Sequence, residues 1–314
     1  MYNEREKIMN ITPDYLIERK RTKRQLTKWK IFALVLIIFI FFIASNNFSS
    51  TNRITGSTFP VVDHIASVRI NDIIFDDFKR VRKLAEIEKD DKVKALIVNI
   101  NSQGGSVVGS EMLYNALRKI SESKPVVVVM ESVAASGGYL ASLGGDYIIA
   151  HNGTITGSIG VIMQSAEITE LAEAVGVKFN NFKSDELKAS PNPTEKLTPE
   201  ARQATMDSIY EVYDYFIEIV ATRRNLDLEY VKKLADGRIY SGRQALDLKL
   251  IDAIGNEDTA LKWLQEKKGI SKDLDVVDVK LSRKDKWIDI LMEDFQTSIS
   301  NFFSFSFKGL KSII

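Results

Sequence analysis

The chain has 314 residues, enough for one large domain or two small ones. Hydrophobic residues make up 45% and charged residues 27%, an ordinary globular balance that excludes a wholly disordered chain. A formal net charge of +1 gives no reason to expect nucleic acid as a partner. The lack of cysteine excludes a thiol nucleophile and disulfides, and the total of two histidines argues against a multi-histidine metal site.

The N-terminal 30 residues are basic, with nine Lys or Arg side chains against four carboxylates. They lead into the uncharged stretch Ile31–Asn52, which is apolar throughout from Ile31 to Ala44. We predict a cytoplasmic basic segment at 1–30, a transmembrane signal-anchor at 31–47 and a linker at 48–60. A cleaved signal peptide is the alternative, although the basic leader is long for one. The excess of Lys and Arg predicts a single-pass protein of the inner cell membrane, with everything after about residue 47 outside the cytoplasm.

Residues 61–275, which we predict to form one domain, alternate between apolar runs and helical periods. Predicted strands are Ala66–Ile70, Val93–Ile100 and the runs VVVVM, YIIA and SIGVIMQ at 126–130, 147–150 and 158–164. Helical spacing of apolar residues predicts helices at 76–89, 108–120 and 198–223, the last opening with a Thr-Pro cap. Near-continuous apolar strands separated by amphipathic helices indicate parallel strands covered on both faces. The predicted fold class is therefore α/β.

Three glycine-bearing segments fall at the ends of predicted strands: NINSQGGSV, VAASGGY and ITGSIGV, at 99–107, 133–139 and 155–161. In open α/β sheets, ligands collect at the carboxyl ends of parallel strands. Each segment alone is typical of a tight turn, but three of them, each with a serine, indicate a site. Gly104–Gly105 and Gly137 could present backbone N–H groups to a developing oxyanion beside Ser136.

A serine nucleophile needs a base. His151 directly follows the predicted strand YIIA and is a poor candidate. A lysine can serve if burial lowers its pKa far enough for the neutral amine to be present. The S-x-x-K spacing of Ser121–Lys124 does not qualify, because Pro125 ends any helix there. Spacing alone leaves open Lys178, Lys183, Lys188 and Lys196.

Five ordered motifs across residues 60–270 resemble the signal peptide peptidase A family of Ser–Lys proteases: NSQGGSV, VAASGGYLAS, TITGSIGVI, FKSDELKASPNPTEKLTPEAR and GRIYSGRQALDLKLIDAIG. The resemblance implies a Clp protease/crotonase-like fold of stacked βαβ units with a helical extension. It also implies the role of each site residue. The nucleophile is Ser136, the base is Lys188 with Lys183 as the weaker match, the base-orienting serine is Ser158, and the oxyanion hole is formed by Gly105 and Gly137.

The function implied by the resemblance is that of a membrane-anchored serine endopeptidase without metal or cofactor. It would hydrolyse cleaved signal peptides and other small or unfolded peptides outside the cytoplasm. Short members of the family close into rings in which adjacent protomers share each dyad, so a homo-oligomeric ring is expected. The alternatives are a proteolytically inactive, membrane-tethered scaffold and a crotonase-like acyl-CoA enzyme. A C-terminal amphipathic segment at 276–314 could pack on its own domain, on the membrane or on a neighbouring subunit.

Overall fold

The computed structural model describes residues 28–30 and 62–281. Residues 28–30 are helical, and the predicted anchor at 31–47, the linker at 48–60 and residues 282–314 of the C-terminal segment lie outside the described residues. The chain divides into two compact units, 1–58 and 59–314, and residues 62–281 belong to the second. Within the described ranges, no helix is both long enough and apolar enough to cross a membrane.

The described part of the second unit contains one mixed β-sheet. Its strands are β1 His64–Asn71, β2 Val93–Ser102, β3 Val126–Ala135, β4 Tyr147–Ala150, β5 Ile155–Gly157, β6 Ile239–Ser241, β7 Ala253–Ile254 and β8 Val276–Asp278. Their order is β6-β5-β3-β2-β1-β8, with β4 paired to both β3 and β7. Every pair is parallel except β5 with β6.

Helices cover both faces of this sheet. They are α1 Phe78–Lys89, α2 Val107–Ser121, α3 Gly137–Ser142, α4 Thr169–Ala174, α5 Pro199–Arg224, α6 Leu228–Leu234, α7 Gly242–Asp247 and α8 Glu257–Lys268. Successive strand residues point to opposite faces. In β2, Leu96 and Val98 accordingly join the larger core, while Ile97 packs in a second cluster that includes Leu264 of α8.

The predicted α/β class is confirmed, and most of the predicted elements are present. Strands β1 to β4 contain the first four predicted runs, and α1, α2 and α5 occupy the predicted helical periods. The start of α5 is as expected, because the Thr198 hydroxyl accepts the Ala201 N–H at 3.1 Å and Pro199 is the first helical residue. Helix α2 ends at Ser121, before Pro125.

Two sequence predictions need correction. The run SIGVIMQ is not a strand, because β5 ends at Gly157 and Ser158 adopts a φ of 49°, which turns the chain out of the sheet. Beyond it, Ile162 and Met163 are exposed rather than buried. The sheet also extends past the domain boundary predicted at residue 275, since β8 pairs with β1.

Residues 161–198, here called the outer segment, connect the end of the β5 region to α5. Apart from α4 they contain no regular secondary structure, and most of their side chains are exposed. The segment contains all four of the lysines that the sequence left open as bases, Lys178, Lys183, Lys188 and Lys196.

Candidate active site

Ser136 lies at the turn between β3 and α3. Its backbone N–H donates to the Gly157 carbonyl at 2.8 Å, which extends the pairing of β3 with β5 by one residue. Its backbone has φ 51° and ψ −120°, a region that residues other than glycine rarely adopt. The partly buried side chain does not cap α3. A strained strand-to-helix turn, with a hydroxyl that makes no hydrogen bond to another described residue, is similar to a nucleophile elbow.

The Gly104–Gly105 loop lies directly against this turn. A Cβ on Gly104 would lie 2.8 Å from the Gly137 nitrogen and 3.1 Å from the Ser136 Cβ, so a side chain there would displace the turn. The φ of +109° at Gly104 independently favours glycine. The small residues in both motifs therefore allow two backbone segments to approach each other closely.

Ile74 fixes the orientation of the Gly104–Gly105 peptide. Its N–H donates to the Gly104 carbonyl at 2.9 Å, and its carbonyl accepts the Ser106 N–H at 2.8 Å. Across a trans peptide bond the C=O and N–H groups point in opposite directions, so the Gly105 N–H points away from Ile74. Neither this N–H nor that of Gly137 has a backbone acceptor within residues 62–281. The two groups are available as hydrogen-bond donors.

Two buried serines hold the same loop, and sequence reasoning missed both. The Ser102 hydroxyl donates to the Asp72 carbonyl at 2.5 Å and accepts the Gly104 N–H at 3.1 Å. The Ser110 hydroxyl donates to the Ser106 carbonyl at 2.9 Å and occupies the space that a Cβ on Gly137 would need. The position of Ser102 beside the double-glycine motif could have drawn attention to it, whereas Ser110 lies on a helix with no local signal.

Ser158 follows β5 as Ser136 follows β3. The strand register pairs Ala135 with Gly157, so each serine is the first residue after its strand and the two lie next to each other at the carboxyl ends of neighbouring parallel strands. The Ser158 N–H donates to the Arg238 carbonyl at 2.8 Å, and its partly buried hydroxyl makes no hydrogen bond to another described residue. One edge of the sheet therefore collects Ser136, Ser158 and the two glycines of the predicted oxyanion hole.

Lys188 is not joined to this edge within one chain. Its side chain is exposed, and its ammonium makes no hydrogen bond or ion pair with the described residues. By contrast, the Lys183 ammonium contacts the Glu195 carboxylate at 2.6 Å and the Glu186 carbonyl at 2.8 Å. Of the two lysines that match the family motif, Lys183 is therefore engaged in structural contacts and Lys188 is uncommitted.

The other candidate bases and ligands lie elsewhere. His151 is exposed and directly follows the end of β4. Lys178 is exposed, and Lys196 is 4.0 Å from Glu170. In the part of the chain that the structure describes, no group of three or more His, Cys, Asp or Glu side chains could hold a metal ion.

Comparisons with known proteins give a family and several relatives. A family model described as peptidase family S49 matches residues 118–271. A Synechocystis sp. protein with a protease name is 40% identical over 195 residues, which are 62% of this chain and 70% of that protein. An Enterococcus faecium protein named as a signal peptide peptidase SppA is 37% identical over 199 residues, 63% of this chain and 58% of its own length.

The comparison with solved structures finds a Listeria monocytogenes ClpP1 mutant. It aligns with a TM-score of 0.43 and 16% identity, over 62% of this chain and 94% of that chain. At this level of similarity, the Clp protease/crotonase-like topology stays a prediction.

Proposed function

This chain belongs to peptidase family S49, and on that premise we propose that it is a serine endopeptidase with Ser136 as nucleophile and Lys188 as general base. The observation that carries the proposal is the β3–α3 turn. There, the Ser136 hydroxyl does not cap α3, and the backbone N–H groups of Gly105 and Gly137 lack backbone acceptors within the described residues. This combination supports the assignment of Ser136 as nucleophile and of the two N–H groups as the oxyanion hole.

The proposed reaction is acyl transfer. The neutral amine of Lys188 removes the Ser136 proton while Oγ attacks the peptide carbonyl carbon, and the N–H groups of Gly105 and Gly137 stabilise the resulting oxyanion. The Lys188 ammonium then protonates the leaving amine as the C–N bond breaks, which leaves an acyl-enzyme. Lys188 next takes a proton from water as the resulting hydroxide attacks the acyl carbon. The Lys188 ammonium then returns that proton to Ser136 Oγ as the ester C–O bond breaks, which releases the carboxylic acid product and restores Ser136. Ser158 orients the lysine by a hydrogen bond.

We further propose that Lys188 acts on Ser136 of an adjacent protomer in a homo-oligomeric ring. A lysine base must be shielded from water to be neutral, yet Lys188 is exposed in the single chain. The outer segment around it carries many exposed apolar side chains, and their concentration on one segment favours an interaction site. They are Ile162, Met163, Ile168, Leu171, Val175, Val177, Phe179, Phe182, Leu187 and Leu197.

The proposed substrates are extended peptides, including signal peptides that remain after cleavage and other small or unfolded chains. Support comes from the resemblance of the site motifs and from the exposure of Gly105 beside the partly buried Ser136. A membrane anchor at 31–47, with the peptidase domain outside the cytoplasm, belongs to the same proposal and rests on the sequence pattern.

The test is hydrolysis of an unfolded fluorogenic peptide by the purified protein and by its Ser136→Ala variant. Activity that disappears in the variant, at an unchanged circular dichroism spectrum, supports the proposal. A wild type without any cleavage would favour the membrane-tethered scaffold. Turnover of an acyl-CoA thioester that survives Ser136→Ala would favour a crotonase-like enzyme.

Co-assembly of two inactive variants tests the shared dyad. Ser136→Ala and Lys188→Ala protomers are expected to be inactive alone. In a head-to-tail ring, random mixing of equal amounts places an intact serine beside an intact lysine at about a quarter of the sites. Co-expressed variants with two affinity tags should recover that share of wild-type activity. If verified mixed rings recover none, each dyad lies within one chain.

A further inference from the structure

We propose that Glu195 is a positioning residue whose carboxylate closes the loop that carries Lys188 and thereby fixes the base. This inference rests on the proposed function, because it requires Lys188 to be the base. The carboxylate lies on the outer segment, seven residues after the lysine that it would position.

Glu195 connects the two sides of residues 181–195, here called the Lys188 loop. One carboxylate oxygen accepts hydrogen bonds from the Lys183 ammonium at 2.6 Å and from the Asn192 amide at 3.0 Å. The other oxygen accepts a hydrogen bond from the Asn181 amide at 3.0 Å. Asn181 and Lys183 precede Lys188 in the chain, and Asn192 follows it. A single side chain therefore closes the loop from both directions.

Two of these donors also hold the turn that carries the base. The Lys183 ammonium donates to the Glu186 carbonyl at 2.8 Å, and the Asn192 amide donates to the Ala189 carbonyl at 3.2 Å. These carbonyls lie on either side of Lys188 in the chain. The carboxylate orients both donors, so its removal would release the turn on both sides of the base.

The charge and shielding of Glu195 distinguish it from an ordinary surface carboxylate. The Lys183 and Glu195 side chains are only 21% and 26% exposed, and charge-assisted hydrogen bonds are stronger than neutral ones. The hydrogen bond from Lys183 lowers the pKa of the Glu195 carboxyl. The carboxylate contacts are therefore complete at neutral pH and are lost only as the pH falls through that lowered pKa.

A matched control exists in the same segment. Glu170 lies 4.0 Å from Lys196, with the two side chains 87% and 74% exposed, and it makes no other hydrogen bond or ion pair through its carboxylate within the described residues. Exposed single pairs of this kind contribute little. Glu170→Gln removes the same charge from the outer segment without opening the Lys188 loop.

The experiment measures kcat, KM and the pH dependence of kcat for the full-length wild type, Glu195→Gln and Glu170→Gln. We expect Glu195→Gln to lower kcat by about 10- to 100-fold, the cost of a displacement of about 1 Å at a reacting group, with little change in KM. The rising limb of the kcat–pH profile should move to higher pH, because a loosened lysine is better hydrated and gives up its proton less readily. Glu170→Gln should match the wild type.

Two further variants separate positioning from general loss of structure. Asn181→Ala removes one of the three donors and should lower kcat in the same direction by a smaller factor. Lys183→Glu with Glu195→Lys restores the ion pair, and the asparagine amides can rotate to accept from the new lysine. This double variant should be more active than Glu195→Lys alone.

The inference is overturned if folded Glu195→Gln has wild-type kcat and an unmoved rising limb. It is also overturned if kcat falls equally at every pH in proportion to lost folded protein. Lys188→Ala, measured in parallel, identifies which proposal fails. An active Lys188→Ala would refute the assignment of the base, and with it this inference. An inactive Lys188→Ala beside a fully active Glu195→Gln would refute only the role of Glu195.

Discussion

Replacing Gly105 by alanine tests the oxyanion hole through the backbone contact that orients it. An ideal Cβ at this position would lie 1.8 Å from the Ile74 carbonyl oxygen, 2.5 Å from its carbonyl carbon and 2.6 Å from its nitrogen. These are backbone atoms of a paired segment, so no side chain can rotate away. Gly105→Ala must therefore push the glycine loop away from Ile74.

The displacement of the glycine loop determines how much activity Gly105→Ala should lose. Ordinary van der Waals contact begins near 3.4 Å, so the shortest distance must grow by about 1.6 Å. A donor that would otherwise lie about 2.7–3.1 Å from the oxyanion is then too distant for a hydrogen bond. Loss of one such donor lowers kcat by about 10²- to 10³-fold, or about 2.7–4 kcal/mol. Steady-state peptide hydrolysis, normalised to folded protein by circular dichroism, measures this loss.

Gly153→Ala is the matched control, because no atom lies within 4 Å of a Cβ built there. It should retain wild-type kcat. A folded Gly105→Ala protein with the same kcat as Gly153→Ala would refute the assignment of the Gly105 N–H to the oxyanion hole.

Three further substitutions test other parts of the site and its support. Ser158→Ala should lower kcat without abolishing it, since the hydroxyl orients the base and does not react; complete loss in a hydrolysis assay would contradict that role. Ser102→Ala leaves the Gly104 N–H and the Asp72 carbonyl without their hydroxyl partner and should lower the free energy of unfolding by about 1–3 kcal/mol, measured by urea denaturation. Arg223→Met removes the donors to two backbone carbonyls just after α3 and should lower the free energy of unfolding by a similar amount. An unchanged urea midpoint would show that water replaces the guanidinium as the donor.

The sequence predicted the sheet well where burial and periodicity agree. The runs that became β1 to β4 are apolar because they are covered on both faces, and α5 begins at a cap visible as Thr198-Pro199. The run at 158–164 was misassigned because an apolar run indicates burial but not what covers it. In the single chain Ile162 is 73% exposed, so its hydrophobicity does not serve the core of its own domain.

The site was predictable to the extent that its geometry restricts residue type. Gly104 and the small residues around Ser136 are needed for positive φ and close backbone approach, and that need is visible in the sequence. The contribution of Ile74 was not predictable, because it acts through backbone groups that every residue has. The pairing of Lys183 with Glu195 was not predictable either, since the two residues lie twelve positions apart in an irregular loop and no periodicity relates them.

The most direct test of the central claim is labelling of the full-length protein with a fluorophosphonate, followed by mass spectrometry of the modified peptide. We predict one adduct, on Ser136, that is absent from Ser136→Ala and strongly diminished in Lys188→Ala, while Glu170→Gln is labelled like the wild type. An adduct on a different serine, or undiminished labelling of folded Ser136→Ala, would contradict the assignment of Ser136 as the nucleophile.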